Sequence, residues 1–287
     1  MKGIVLAGGN GTWLHPLTLS VSKQLMPIYD KPMIYYPLST LIAAGIHEIL
    51  IISTPEDLPL FERLLGDGSQ WGCAFSYAEQ AEPKGLAEAF IIGESFIGES
   101  SVALILGDNL FHGGKFSEQL AALDKIDGGH IFAYQVKDPE RYGVVAFDTK
   151  NRIISLEEKP EQPKSSFAVP GIYFYDNTVV QKAKNLRPSK RGELEITDIN
   201  KSYLAEQMLR LTPLEVGSAW LDTGTIESLM EASQYVQALQ SRQGVLVGSP
   251  EVAAYTSKAI SLEQLLEIAN KMTYTPYGEA IKSLATR

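Results

Sequence analysis

Gly3-Ile-Val-Leu-Ala-Gly-Gly-Asn-Gly-Thr-Trp-Leu-His-Pro-Leu-Thr18, continued by Ser22-Lys-Gln-Leu-Met-Pro27, is the stretch from which the rest of the chain can be read. Gly3 to Ala7 is a short apolar run that stops at glycines, the pattern of a strand buried on both faces that opens into a tight loop. Gly8, Gly9 and Gly11 free the backbone for positive φ and for close approach of a ligand to the main chain. Successive amide N–H groups in such a turn form a concave nest suited to phosphate. Thr12 adds a hydroxyl, and Lys23 brings a positive charge within folding distance. An ordinary βα turn is the plain alternative, because a glycine-rich loop alone is a weak signal.

Two phosphate motifs can be compared with the loop. A P-loop requires G-x-x-x-x-G-K-[ST], and Gly11 is followed by Thr12 and Trp13, so that pattern fails. The dinucleotide fingerprint fits Gly9-Asn10-Gly11 but meets Leu14 where its third glycine belongs, although Asp30 lies near the spacing of a ribose-binding acid. Pro16 and Pro27 also interrupt the helix that fingerprint needs.

The 287 residues allow one large α/β domain, or one domain with a smaller appendage. At 45% hydrophobic and 21% charged, the chain has the balance of a soluble globule. A net charge of −9 argues against non-specific binding to nucleic acid or to an anionic membrane. Phosphate would have to be met by local lysines instead. The lone cysteine, Cys73, excludes an intrachain disulfide, suits a reducing cytoplasm and reads as small-residue packing beside Trp71. The start of the chain shows no signal region, and no apolar run is long enough for a membrane span.

Helical and strand patterns alternate through the first half. Helices are expected over 35–44, 58–65 and 86–97, and strands over 3–7, 48–53, 75–78 and 101–106. Such alternation predicts right-handed crossovers and a mostly parallel, Rossmann-like mixed sheet covered by helices on both faces. Ligands bind these sheets at the carboxyl ends of strands, which puts the 8–12 loop and Asp108 on one edge. Residues 130–136, 144–148, 153–157 and 169–175 read as short strands, small antiparallel additions that build the other half of a pocket. Residues 192–204 read as a loop entering a helix with Thr197 and Asp198 near its cap, and helical spacing returns over 225–239 and 262–271. With no repeat or linker, the expectation is one domain over 1–287, a catalytic α/β core over 1–225 and a helical C-terminal appendage over 226–287.

The pattern G-G-x-G-T-x-L-x-P-L-T, with Lys23 and Pro27 following, resembles the sugar nucleotidylyltransferases. Further blocks narrow the resemblance to the glucose-1-phosphate thymidylyltransferases: Tyr29-Asp-Lys-Pro-Met-Ile-Tyr-Tyr-Pro-Leu-Ser39, Gly66-Asp-Gly-Ser-Gln-Trp-Gly72, Gly107-Asp-Asn109, Gly192-Glu-Leu-Glu-Ile-Thr-Asp198 and Trp220-Leu-Asp-Thr-Gly-Thr225. They run in order over nearly the whole chain, with the last forty or so residues the least similar. The resemblance implies a cytoplasmic, homotetrameric transferase that joins dTTP to glucose 1-phosphate by direct in-line attack. Its products would be dTDP-glucose, used in dTDP-rhamnose and polysaccharide synthesis, and pyrophosphate.

It also implies roles for particular residues. Asp108 and Asp222 match metal ligands, for Mg²⁺, an ion that takes hard oxygen donors. Lys23 is expected on the triphosphate and Lys159 on the sugar phosphate, each as a point charge. Leu6, Gly8, Gly9, Gly11, Thr12, Trp13 and Gln24 match nucleotide-contacting positions. Gln80 and Gly85 match base-reading positions: an amide can read a pyrimidine edge, and glycine permits close backbone approach. Asn109, Tyr142, Gly143, Glu158 and Val169 match sugar-contacting positions. Taken singly, each aspartate could be a turn residue and each lysine a solvated one.

Two departures bear on function. Lys84 stands where close relatives often carry aspartate, which leaves open a transferase with another base or sugar preference. Trp13 replaces the family's arginine, exchanging a charged bidentate donor for one neutral N–H. That exchange predicts an impaired or altered transferase, or a binding protein of the same fold, with Trp13 facing the phosphates. The plain alternative packs Trp13 into the core beside Leu14.

Overall fold

The structure, a computed structural model, describes residues 1–9, 11–123 and 126–285. Asn10 of the glycine-rich motif and the last two residues of the expected appendage lie outside that set. Among the described residues the chain builds a ten-stranded sheet. Strand Lys2–Ala7 is at its centre, with Glu48–Ser53 and Val102–Leu106 parallel on either side and Ala74–Glu79 parallel beyond Glu48–Ser53. From Val102–Leu106 outward the pairing turns antiparallel, through Ile172–Tyr175, Gly129–Gln135, Phe167–Ala168, Gly143–Phe147 and Ile153–Glu158. Leu209–Pro213 adds a parallel neighbour to Gly129–Gln135. The parallel core and its helices follow the expected plan.

Side-chain alternation divides the core into two layers. Val5, Ile49, Ile51, Ala103 and Ile105 face one way, and Ile4, Leu50, Ile52, Val102 and Leu104 face the other. The first layer is covered by helix Tyr35–Ala43, against which packs Pro250–Thr256, followed by Leu262–Lys271 and Pro276–Ala285, C-terminal helices that the periodicity only partly foretold. Ala254, Leu265 and Ile281 are thereby part of the same apolar cluster as Val5 and Leu38. The last helices are built into the core instead of hanging from it. Helix Ile226–Gln243 is capped reciprocally by Thr225 and Ser228, as the pattern over 225–239 suggests. Among the described residues no helix is long and apolar enough to cross a membrane.

Three local expectations need correction. The helix expected over 86–97 is two short ones, Glu88–Ile92 and Glu94–Ile97, divided at Gly93. A Cβ at Gly93 would come within 3.0 Å of the Ala89 carbonyl and of Ile4, so glycine there brings the helix pair onto the central strand. The strand expected over 169–175 breaks at Pro170, which has no N–H for the ladder, leaving Phe167–Ala168 and Ile172–Tyr175. The helix expected after Gly192 runs Ile196–Ala205, and its N-cap is Glu195, with no side-chain cap bond. Thr197 and Asp198 lie in its first turn, and the Thr197 hydroxyl is directed to Glu158 instead.

Candidate active site

Ala7 and Leu106 end adjacent parallel strands, and the main chain turns out of the sheet at both. The Gly107 N–H donates to the Leu6 carbonyl at 2.9 Å, which starts the Asp108 loop directly beside the glycine-rich loop. Asn109–His112 then pairs antiparallel with Ala219–Asp222, setting Asp222 opposite Asn109. Thr223 clamps the turn through its N–H and hydroxyl, both donated to the Asp108 carbonyl. Asp108 and Asp222, remote in sequence, are thus brought to one strand end.

Three cavities meet there. One of about 350 Å³ is lined by Gly8, Gly9, Gly11, Thr12, Trp13, Lys23 and Asp108. A second, about 200 Å³, is lined by Leu6, Gln24, Gln80, Gly85, Leu86 and again Asp108. The third, about 290 Å³, is bounded by Asn109, Tyr142, Gly143, Glu158, Lys159, Val169 and both aspartates. Every residue that the resemblance matched to a metal-, nucleotide- or sugar-contacting position therefore lines one of three adjoining spaces, and Asp108 lines all three.

The electrostatics differ at the two aspartates. Burial pushes the Asp108 carboxyl up, but the Lys23 ammonium at 2.5 Å and the Asn109 amide at 2.8 Å outweigh it and hold the group below the usual carboxylate range. For Asp222 burial prevails and its pKa is raised, even though Tyr142 donates to Oδ1 at 2.9 Å and Arg141 lies 3.5 Å from Oδ2. The nearby negative charge of Asp108 adds to the rise. Glu158 is likewise raised by burial, partly opposed by the Thr197 hydroxyl at 2.5 Å.

Backbone geometry sets several of the other positions. A Cβ on Gly8 would lie 2.6 Å from Gln80 Oε1, so a side chain there would displace the amide. Gly85 has φ +105°, and a Cβ there would strike the Leu194 backbone at 2.5 Å. That close approach joins the 83–86 loop to the segment carrying Glu193, which lines the second and third cavities together. Lys159 is exposed and held at φ 42°, its N–H donating to the Tyr142 carbonyl just past the strand end at Glu158. Asn109 is committed to the scaffold: its Oδ1 accepts from Trp220 Nε1 at 2.6 Å and from the Gly171 N–H at 3.2 Å. Lys84 pairs with Glu82 at 3.1 Å in solvent and lines none of the three cavities.

Trp13 sits in a short turn, Thr12–Leu14, and is 83% exposed at the rim of the glycine-loop cavity, while Leu14 is the residue that enters the core. The core-packed alternative for Trp13 is thereby excluded. The sequence reading missed Arg141, Arg191, Glu195, Thr197 and Trp220 on the third cavity. Arg191 immediately precedes the Gly192–Asp198 block, and that adjacency was the available signal. Cys73 is packed and buried as expected, its thiol pushed up to about 12 by burial.

A glycine-lined cavity with a lysine, a small pocket at Gln80 and Gly85, and a cleft with a second carboxylate, all meeting at Asp108, are the kind of parts a nucleotidyl-transferring enzyme needs. The chain belongs to the nucleotidyl transferase family, which it matches over residues 2–238. It is 53% identical over 287 residues to the glucose-1-phosphate thymidylyltransferase of Mycolicibacterium smegmatis, with both chains covered completely. To the enzyme of the same name from Neisseria meningitidis it is 54% identical over 285 residues, 99% of each chain. Among solved structures, a Bacillus anthracis protein described as a candidate glucose-1-phosphate thymidylyltransferase, in complex with sucrose, aligns with a TM-score of 0.76 at 40% identity. That alignment covers 82% of this chain and 94% of the other. A UDP-glucose pyrophosphorylase complexed with UDP-glucose aligns at 0.73 and 25% identity, over 83% and 98%. Full-length similarity of this order to named enzymes gives no support to an impaired binding homologue, and the expectation drawn from Trp13 is corrected accordingly.

Proposed function

We propose that the protein joins dTTP to α-D-glucose 1-phosphate, giving dTDP-glucose and pyrophosphate. The observation that carries the reading is the meeting of the three cavities at Asp108. A nucleotide with its base beside Gln80 and Gly85 and its phosphates along Gly8–Thr12 would have its α-phosphorus at that junction. A sugar phosphate in the cleft of Glu158, Lys159 and Val169 would present its oxygen from the other side. That oxygen attacks the α-phosphorus, the new P–O bond forms, and the bond to the β-phosphate breaks to release pyrophosphate. Lys23 and Lys159 offset charge on the two phosphates, and holding both reactants in line supplies much of the rate.

Asp108 and Asp222 would hold a magnesium ion. Among the described residues no group of three or more His, Cys, Asp or Glu is arranged for a metal. Two carboxylates with the remaining positions left to phosphate and water fit magnesium's usual mode of binding. When bound, the ion supplies positive charge against the charge that develops on the transferred group. The resemblance extends this reading to a cytoplasmic homotetramer.

Steady-state pyrophosphate release, with dTTP, UTP or ATP and with glucose 1-phosphate or another hexose 1-phosphate, tests the assignment. The dTTP–glucose 1-phosphate pair is expected to give the highest kcat/KM. A clear preference for UTP would place the chain beside its UDP-glucose pyrophosphorylase neighbour instead.

A further inference from the structure

Gln80 directly follows strand Ala74–Glu79 and is almost fully buried, its backbone N–H donating to the Ser53 carbonyl at 2.7 Å. Its amide has two unlike ends. Nε2 donates to Glu88 Oε2 at 2.8 Å, and Oε1 lies on the opposite side, against Gly8 and the nucleotide loop. Glu88 is half-buried at the start of helix Glu88–Ile92 and lines none of the three cavities. It reaches the pocket only through Gln80. An ionised carboxylate only accepts hydrogen bonds, so the end of the amide facing Glu88 has to be the NH₂. The end left for the pocket is then the carbonyl, an acceptor.

We propose that Glu88 is a positioning residue that sets which class of pyrimidine the enzyme accepts, by locking the Gln80 amide with its oxygen toward the base. The inference rests on the reading of the Leu6–Gln80–Gly85 cavity as the base site. Thymine and uracil carry an N–H at ring position 3, which an inward-facing carbonyl satisfies. Cytosine carries a lone pair there, which the same carbonyl repels. Discrimination between keto and amino pyrimidines then depends on a side chain that never touches the base. Without Glu88 the Gln80 amide can turn over, and its NH₂ meets the cytosine lone pair.

The test compares kcat/KM for dTTP, UTP and dCTP, each with glucose 1-phosphate, in the wild type, Glu88→Gln and Glu88→Leu. Glutamine in place of the carboxylate offers both a donor and an acceptor, and leucine offers neither, so each removes the lock by a different route. Both variants should keep a wild-type melting temperature and KM for glucose 1-phosphate. The dTTP-to-dCTP ratio should fall by about 10- to 100-fold, the range expected for one mispaired buried hydrogen bond. The dTTP-to-UTP ratio should not change, because both bases carry the same N–H. A general loss of packing would lower all three nucleotides together. A variant that folds and keeps the wild-type dTTP-to-dCTP ratio overturns the role of Glu88. If either variant is unstable, direct titration of dTDP and dCDP below its melting temperature reads the same ratio. A wild type that fails to prefer dTTP over dCTP overturns the base-site reading itself, and the two failures are thereby distinct.

Discussion

Asp108 and Asp222 are the same residue type at one strand end, yet their surroundings push them in opposite directions. Asp108 is held below the usual range, so its ionised form adds stability above the unfolded carboxylate pKa, and this is lost as pH falls through the lower folded value. Asp222 is raised, so the fold favours its protonated form, and that contribution is lost as pH rises through the unfolded and then the folded value. Without magnesium at pH 7, Asp108→Asn should lower the melting temperature, at roughly 2–4 °C per kcal/mol, because Lys23 loses its partner. Asp222→Asn should leave it unchanged or raise it. The contrast should shrink below pH 4, and equal shifts at pH 7 would refute the opposed environments. Both variants should lose activity by about 100-fold or more, since each removes a carboxylate that would hold the magnesium ion. Trp13 allows a separate measurement at this scale. Trp71 and Trp220 are buried, whereas Trp13 is exposed at the rim of the glycine-loop cavity. Binding of dTTP should therefore change the tryptophan emission, and Trp13→Phe should abolish that change. A response that persists in the variant would place the nucleotide elsewhere or couple it to the buried rings.

At the scale of elements, the 27–32 hairpin is a joint. Lys31 is 3% exposed, pairs with Asp30 at 2.5 Å, donates to Gln240 at 3.2 Å and lies over the Tyr36 and Tyr277 rings at 5.0 and 5.4 Å. Burial lowers its pKa, opposed by Asp30 and Glu251. Through this cation the segment that follows the glycine-rich loop holds helices Ile226–Gln243 and Pro276–Ala285 to helix Tyr35–Ala43. Removing one partner of a buried pair costs about 3–5 kcal/mol, because the other charge remains buried. Lys31→Met should thus lower the melting temperature by roughly 10 °C and increase protease cleavage in the C-terminal helices first. An unchanged melting temperature would show that the aromatic packing holds the joint without the charge. The sequence marked Tyr29–Ser39 as a block without saying what it does, since a lysine next to an aspartate gives no sign of burial.

For the whole molecule, legibility followed the range of the interactions. The strand over 3–7, the glycine loop, helix 35–43 and strand 48–53 were readable because their determinants are local: apolar period, β-branched runs and freedom for positive φ. The candidate site residues came from their motifs, so Lys23, Gln80, Asp108, Glu158 and Asp222, which the fold gathers around adjoining cavities, were all named from the sequence. What those motifs could not carry was the company each residue keeps. Only the antiparallel pairing of Asn109–His112 with Ala219–Asp222 decides that two distant aspartates share a strand end. The pairing rests on hydrogen bonds between segments whose contact no local pattern encodes. The turn of the Gln80 amide, the burial of Lys31 and the opposed electrostatics of the two aspartates have the same origin. Each depends on groups brought from remote parts of the chain into a water-poor space, where a single neighbouring charge or acceptor decides the outcome.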